Sequence, residues 1–331
     1  MRSSFLGYPE APLRGFWSNF RKPSGWQFLA LAVALSVLAP LTVLLLAWLE
    51  PAWEIWQHLR ETLLSQLLIN TLKLVFGVTC GTLFLGVSLA WLTGACEFPG
   101  RKHLSWLLLL PLAMPTYVLA FVFLGLFDFS GPVQTVLRGW LGRGVWFPDV
   151  RSAAGVVSVM SLALYPYVYL LARNAFATQG KRALEAAESL NCTPWQGFFR
   201  VVLPMARPWI AGGATLVLME TLADFGAVSI FNYDTFTTAI YKAWFGFFSL
   251  SAAAQLATLL VALVFVLILL EQRSRKRMRF AQARIAPQAE RIQLSGLHKW
   301  LAAAFCLLVL LIAFILPALQ LLSWSLEGFH Q

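Results

Sequence analysis

Residues 182–204 read Arg182-Ala183-Leu184-Glu185-Ala186-Ala187-Glu188-Ser189-Leu190-Asn191-Cys192-Thr193-Pro194-Trp195-Gln196-Gly197-Phe198-Phe199-Arg200-Val201-Val202-Leu203-Pro204. Leu184, Ala187 and Leu190 fall on one helical stripe, with Ala183 and Ala186 beside it. Asn191 ends that helix, because Asn tolerates the left-handed backbone that a helix terminus needs. Thr193 then caps a second helix, Pro194 suits its first position, and Gln196 completes a capping box. Trp195, Phe198, Phe199 and Val202 give this helix an apolar face, and Pro204 is expected to stop it. The spacing predicts a short helix–turn–helix with a small-residue face. Two roles fit it: an amphipathic hairpin lying on lipid headgroups, or a plug that docks into a groove on a soluble partner.

The surroundings are those of a membrane protein. The chain has 331 residues, 59% of them hydrophobic and only 12% charged, with a mean hydropathy of +0.70. That excludes an ordinary soluble domain. The net charge of +10 does not point to nucleic acid, because the cations sit in the gaps between apolar runs. Runs long enough to span a bilayer occupy about 26–49, 67–95, 104–127, 153–172, 209–231, 248–270 and 298–324. This predicts an all-α, polytopic helix bundle of about six helices plus a seventh span. Pro111 and Pro115 predict a kink in the third helix. Lys and Arg divide nineteen to five between the two sets of gaps, which puts the N-terminus and residues 173–208 in the cytoplasm. The first 25 residues form a polar tail without the apolar core of a cleavable signal, so the first run should act as a signal-anchor.

An internal repeat marks the end of the chain. Pro40, Leu44, Leu45, Trp48 and Glu50 recur as Pro317, Leu321, Leu322, Trp324 and Glu327. The expected organisation is a tail over 1–25, a transmembrane unit over 26–272, a basic linker over 273–297, and over 298–331 the first span of a second, incomplete unit. The linker cations suit contact with anionic membrane lipid rather than nucleic acid.

Chemistry-bearing residues are few. Cys80, Cys96, Cys192 and Cys306 lack zinc or redox spacing, and the four histidines form no metal motif. There is no phosphate-binding loop, nucleophile elbow or zinc helix, so no catalytic residue, metal site or cofactor is expected. Within the apolar runs the ionisable residues are Lys73, Glu220 and Asp224. Such groups usually face a bundle interior or a water-filled path. Glu220 and Asp224, four apart, should share one helix face. A carboxylate pair suits a hard cation; alternatively the two bond helix ends or pair with Lys73.

Glu185-Ala186-Ala187, followed by Asn191 and then Val201 and Leu203-Pro204, resembles the EAA loop of ABC-importer permeases, with Asn191 where that family usually has Gly. The resemblance implies that Glu185, Ala186, Ala187, Asn191, Leu203 and Pro204 form a coupling helix seated in a cleft of a cytoplasmic ABC ATPase subunit. It implies a bacterial inner-membrane permease that works by alternating access, fed by a periplasmic substrate-binding protein. A second permease unit, in cis or in trans, would complete it. Met219-Glu220-Thr221-Leu222-Ala223-Asp224-Phe225-Gly226, Thr235 to Tyr241, Asn70-Thr71-Leu72 and Phe98-Pro99-Gly100-Arg101 are similar to the ferric-iron branch of that family, which implies iron transport; the expected shared face of Glu220 and Asp224 makes these two the candidate lining of the translocation path. Sister branches carry thiamine, polyamines or sulfate. A stand-alone secondary transporter or channel is the alternative of another class, but it would need charged relays over several helices.

Overall fold

A computed structural model of the protein describes residues 25–50, 53–142, 144, 146–276 and 291–329. The expected N-terminal tail, apart from residue 25, and residues 277–290 of the expected linker lie outside the described residues. Among the described residues the regular structure is helical apart from two strands of two residues, and seven helical segments are long and apolar enough to cross a membrane.

The first span is α1 (Gly25–Leu46), followed by the short helix α2 (Trp53–Thr62) and the second span α3 (Leu64–Ala95). Strand β1 (Cys96–Glu97) leads to the third span. Pro111 and Pro115 break this span rather than bend it: α4 (Arg101–Leu107) passes through a 3₁₀ turn at Leu110–Ala113 before α5 (Thr116–Phe127). Carbonyls at the break are met by side chains of the fourth span, Tyr165 Oη donating to Leu108 O at 2.8 Å and Tyr169 Oη to Ser105 O at 3.0 Å. A bilayer offers no water for that role, so the bundle must supply it.

After α6 (Pro132–Leu141), the fourth span corrects the sequence reading. Helix α7 (Ala153–Ser189) runs without interruption, so the expected helix over 182–190 is the last part of the span itself. The polar residues after 172 end an apolar run but carry no helix-breaking signal. Pro204 likewise does not stop its helix. Helix α8 (Pro194–Gly197) passes through a π turn at Phe198–Val202 straight into α9 (Leu203–Ala223). The wider turn sits just before Pro204, where an α-helical ring would clash with the proline. The seventh span repeats this device: α13 (Gly296–Leu310) joins α14 (Leu316–Phe329) through a π turn at Leu311–Ile315, just before Pro317.

Between α9 and the sixth span α12 (Leu250–Lys276) lie the short helices α10 (Gly226–Ile230) and α11 (Phe236–Tyr241). Helices α3, α7 and α9 form the centre. The seventh span joins the same core: Cys306 and Ala313 are fully buried in a cluster with Leu89, Tyr165, Tyr169 and Phe176. Trp324 meets Phe121 edge-on at 5.5 Å. The first span contrasts with it, having no buried residue. It is held to α12 by bonds such as Thr258 Oγ1 to Leu44 O at 3.2 Å and Ser251 Oγ to Glu50 O at 2.8 Å.

A parallel ladder fastens the seventh span to the others. Strand β2 (Ile292–Gln293) pairs Cys96 with Ile292 and Glu97 with Gln293. Glu97 gathers two cations, Arg101 at 3.0 Å and Arg291 at 3.7 Å. Arg101 is buried and also donates to Thr93 O at 3.2 Å. Desolvation, followed by the facing Arg101, lowers the pKa of the Arg291 guanidinium, and Glu97 opposes that shift.

Candidate functional site

Two regions hold the residues singled out from sequence, one at each end of the bundle. The first is the hairpin joining α7 to α8. Asn191 adopts φ 59°. Its N–H bonds Glu188 O at 2.9 Å, and the Cys192 N–H bonds Ala187 O at 3.1 Å. This is a complete Schellman turn, so the left-handed residue closes the helix as its chemistry requires. The Thr193–Gln196 capping box is present, with Thr193 N–H to Gln196 Oε1 at 3.2 Å and Gln196 N–H to Thr193 Oγ1 at 3.4 Å.

The expected apolar stripe divides in two. Ala183, Leu184 and Ala187 are buried, whereas Leu190 is 78% exposed because the turn carries it off the helix face. Inside the hairpin, a Cβ at Gly197 would lie 2.9 Å from Leu184 Cδ1 and 3.0 Å from Ala187 Cβ, so the two arms touch where Gly197 has no side chain. Phe198 anchors the second arm against Trp91, with ring centroids 4.8 Å apart, and Trp91 meets Phe176 at 5.4 Å. Leu203 and Pro204 are half-buried behind the π turn. Glu185, Ala186, Leu190 and Trp195 remain exposed together on the hairpin. Glu185 makes an ion pair with Lys181 at 3.6 Å on the same helix. The exposure of Leu190 and Trp195 was not legible in their apolar character; the position of Leu190 beside the left-handed residue was the available signal.

The second region is the break after α9. Glu220 and Asp224 do not share a helix face. Helix α9 ends at Ala223, and Asp224 is extended at φ −67°, ψ 128°. Its Oδ1 accepts from the N–H groups of Ala227 at 3.0 Å and Val228 at 3.2 Å, and its Oδ2 accepts from Thr116 Oγ1 at 2.6 Å. Its own carbonyl accepts from Thr237 Oγ1 at 2.7 Å. Asp224 therefore caps α10, the helix-end role that carboxylates favour. Gly226 is needed beside it, since a Cβ there would come within 2.6 Å of Tyr117 Cβ. Glu220 stays exposed on α9, within electrostatic reach of Tyr167. Lys73 is exposed on α3, and among the described residues no ion pair joins it to either carboxylate.

Asn70 and Thr71 gain a physical role here. Asn70 Nδ2 donates to Asp234 O at 3.0 Å, Tyr233 Oη donates to Asn70 O at 3.3 Å, and the Phe236 N–H reaches Thr71 Oγ1 at 3.4 Å. Side chains of α3 thus satisfy the backbone of the segment leading into α11. Lys242 pairs with Asp234 at 2.6 Å on the exposed side. Irregular backbone between two spans is tolerated only where protein or a watery cavity surrounds it. The arrangement offers carboxylate, hydroxyl and amide groups beside an exposed surface, and among the described residues no group of three or more potential metal ligands is present.

Comparison with known proteins bears on both regions. The family model described as "Binding-protein-dependent transport system inner membrane component" matches residues 83–280. The Fe(3+)-transport system permease protein FbpB 2 of Haemophilus influenzae is 30% identical over 205 residues, 62% of this chain and 37% of that protein. The chain thus spans well under half the length of that relative. The sulfate transport system permease protein CysT of Escherichia coli is 29% identical, over 60% of this chain and 70% of the relative. The molybdenum transport system permease protein ModB of Escherichia coli is 28% identical, over 67% of this chain and 93% of the relative. Among solved structures, a chain of a bacterial alginate ABC transporter, crystallised in complex with alginate pentasaccharide-bound periplasmic protein, superposes with a TM-score of 0.58 at 16% identity. It covers 78% of this chain and 96% of that chain, a likeness of fold.

Proposed function

Since the chain belongs to the binding-protein-dependent transport system inner membrane component family, we propose that it is the translocating subunit of an ATP-driven importer, working by alternating access. The observation that carries this reading is the hairpin. Its inner face is consumed by packing, while Glu185, Ala186, Leu190 and Trp195 stand clear at one end of the bundle. An exposed apolar tip on a rigid support suits insertion into a groove on a soluble partner. In this reading the hairpin end faces the cytoplasm, as does the N-terminus, and each hairpin meets one ATPase subunit. A periplasmic binding protein serves the opposite end. Asn191, Ala187, Leu203 and Pro204 shape the hairpin, and Glu185 and Ala186 touch the ATPase.

The transported substrate is ferric iron in this proposal, supported by the similarity to FbpB 2 and by two carboxylates, Glu220 exposed near the end of α9 and Asp224 at the break. A second reading, an oxyanion such as sulfate or molybdate, is favoured by exposed Lys73 and by the two oxyanion relatives. The repeat supports reading the seventh span as the opening span of a second unit.

The test is Glu185→Lys in the full transporter. The Lys181–Glu185 pair is an exposed contact within one helix, worth only about 0.3–0.5 kcal/mol, so membrane insertion should be unchanged. ATPase co-purification and uptake should fall together. Normal co-purification and uptake of radiolabelled iron, sulfate and molybdate by this variant would refute the coupling role.

A further inference from the structure

A groove of about 970 Å³ opens beside the hairpin. Val87 and Trp91 of α3 form its back, Phe198 of the π turn and Ile210 of α9 one side, and Phe305 of α13 the other. Along α3 it extends from Leu83 to Leu92, roughly 14 Å of helix, and on to Cys96 of β1. Among the described residues lining it, none is acidic and one is a cation, Arg207. Arg207 is exposed and stands about one turn into α9 from the hairpin, and Trp195, 73% exposed, lies at the same end of the groove. An aromatic ring and a long cationic side chain at the end of an apolar slot match the layering of a membrane interface.

We propose that this groove holds an acyl chain of an anionic phospholipid from the cytoplasmic leaflet, with its phosphate on Arg207. The volume is at the upper end of small-ligand sites, the depth runs along the spans, and the guanidinium is matched to phosphate in charge and shape. The cytoplasmic leaflet is where anionic lipid is met. Because Pro194, Trp195 and Phe198 form part of the wall, the lipid presses the hairpin against α3. Its occupancy then sets how firmly the coupling element is held. The proposal rests on the cytoplasmic placement of the hairpin given above.

The test uses the full transporter in nanodiscs containing phosphatidylglycerol or phosphatidylcholine with a photoreactive group at the acyl end, followed by peptide mapping. Adducts are expected on 83–91 of α3 and around Phe305 with phosphatidylglycerol. Arg207→Gln should lower them about fivefold, the worth of one cation at an anionic surface, while Arg207→Lys retains most of them. Val87→Trp, which narrows the groove at its back wall, should reduce them. Equal labelling by the two lipids in both wild type and Arg207→Gln overturns the proposal. So does the absence of groove adducts because a second permease unit or a segment of this chain occupies it. Labelling requires neither ATP nor transport. Its failure therefore leaves the coupling role standing, and loss of ATPase capture leaves the lipid site standing.

Discussion

Replacing Asp224 separates its structural bonds from its charge. Asp224→Ala removes the acceptor for two N–H groups, those of Ala227 and Val228, and for the Thr116 hydroxyl. Ala227 and Val228 are fully buried, so their donors have no water to turn to. An unmet buried donor costs about 1–3 kcal/mol, and loss of a helix cap costs about 0.5–2 kcal/mol. These terms overlap, and about 2–4 kcal/mol is the expected total. Asp224→Asn keeps an oxygen for both N–H groups and places an amide beside Thr116, at a cost of roughly 1 kcal/mol for the lost charge. The assay is detergent-solubilised thermal unfolding read by size-exclusion chromatography, paired with uptake in cells at matched expression. The alanine variant should melt several degrees lower and transport poorly. The asparagine variant should melt near wild type yet transport poorly, if the carboxylate serves the path. Wild-type stability of Asp224→Ala would refute the capping argument, and normal uptake by Asp224→Asn would refute the path role.

Two further outcomes follow from the hairpin. Gly197→Val should destabilise the α7–α8 contact by about 1–3 kcal/mol of overpacking, seen as faster proteolysis within 182–200, because Ala187 Cβ and Leu184 Cδ1 already lie within 3.0 Å of the position a Cβ would take; unchanged cleavage would contradict the packing. Half-exposed Cys192 should react with an aqueous maleimide and be protected when ATPase subunits are added, whereas Cys96, buried and with its thiol pushed up to about 12 by desolvation, should stay unmodified at neutral pH. Labelling of Cys96 as fast as Cys192 would refute the burial of the β1–β2 junction.

The hairpin termini were legible because their bonds are local. Asn191 and the Thr193–Gln196 pair act within six residues of chain, so residue chemistry alone selects the geometry. The continuity of α7 was not legible in the same way, because hydropathy marks where a helix leaves the membrane rather than where it ends. Asp224 misled for a related reason. A spacing of four implies a shared face only if the helix continues, and what holds the end of α9 at Ala223 is the capped start of α10 together with two partners further off in sequence, Thr116 and Thr237.

By itself, the sequence determined seven apolar spans, an uneven distribution of positive charge and a capped hairpin between the fourth and fifth spans. Each is set by composition over a window or by neighbours along the chain. Only the tertiary structure decided which spans are buried. The seventh lies in the core with Cys306 and Ala313 inaccessible, while the first has no buried residue, although both are strongly apolar runs. A span must be apolar on every face, toward lipid and toward its neighbours alike, so hydrophobic patterning cannot mark its packed side. The distinction comes from shape and from polar bonds across the bundle, such as the Tyr165 and Tyr169 hydroxyls that meet the broken third span, and these exist only once the helices are assembled.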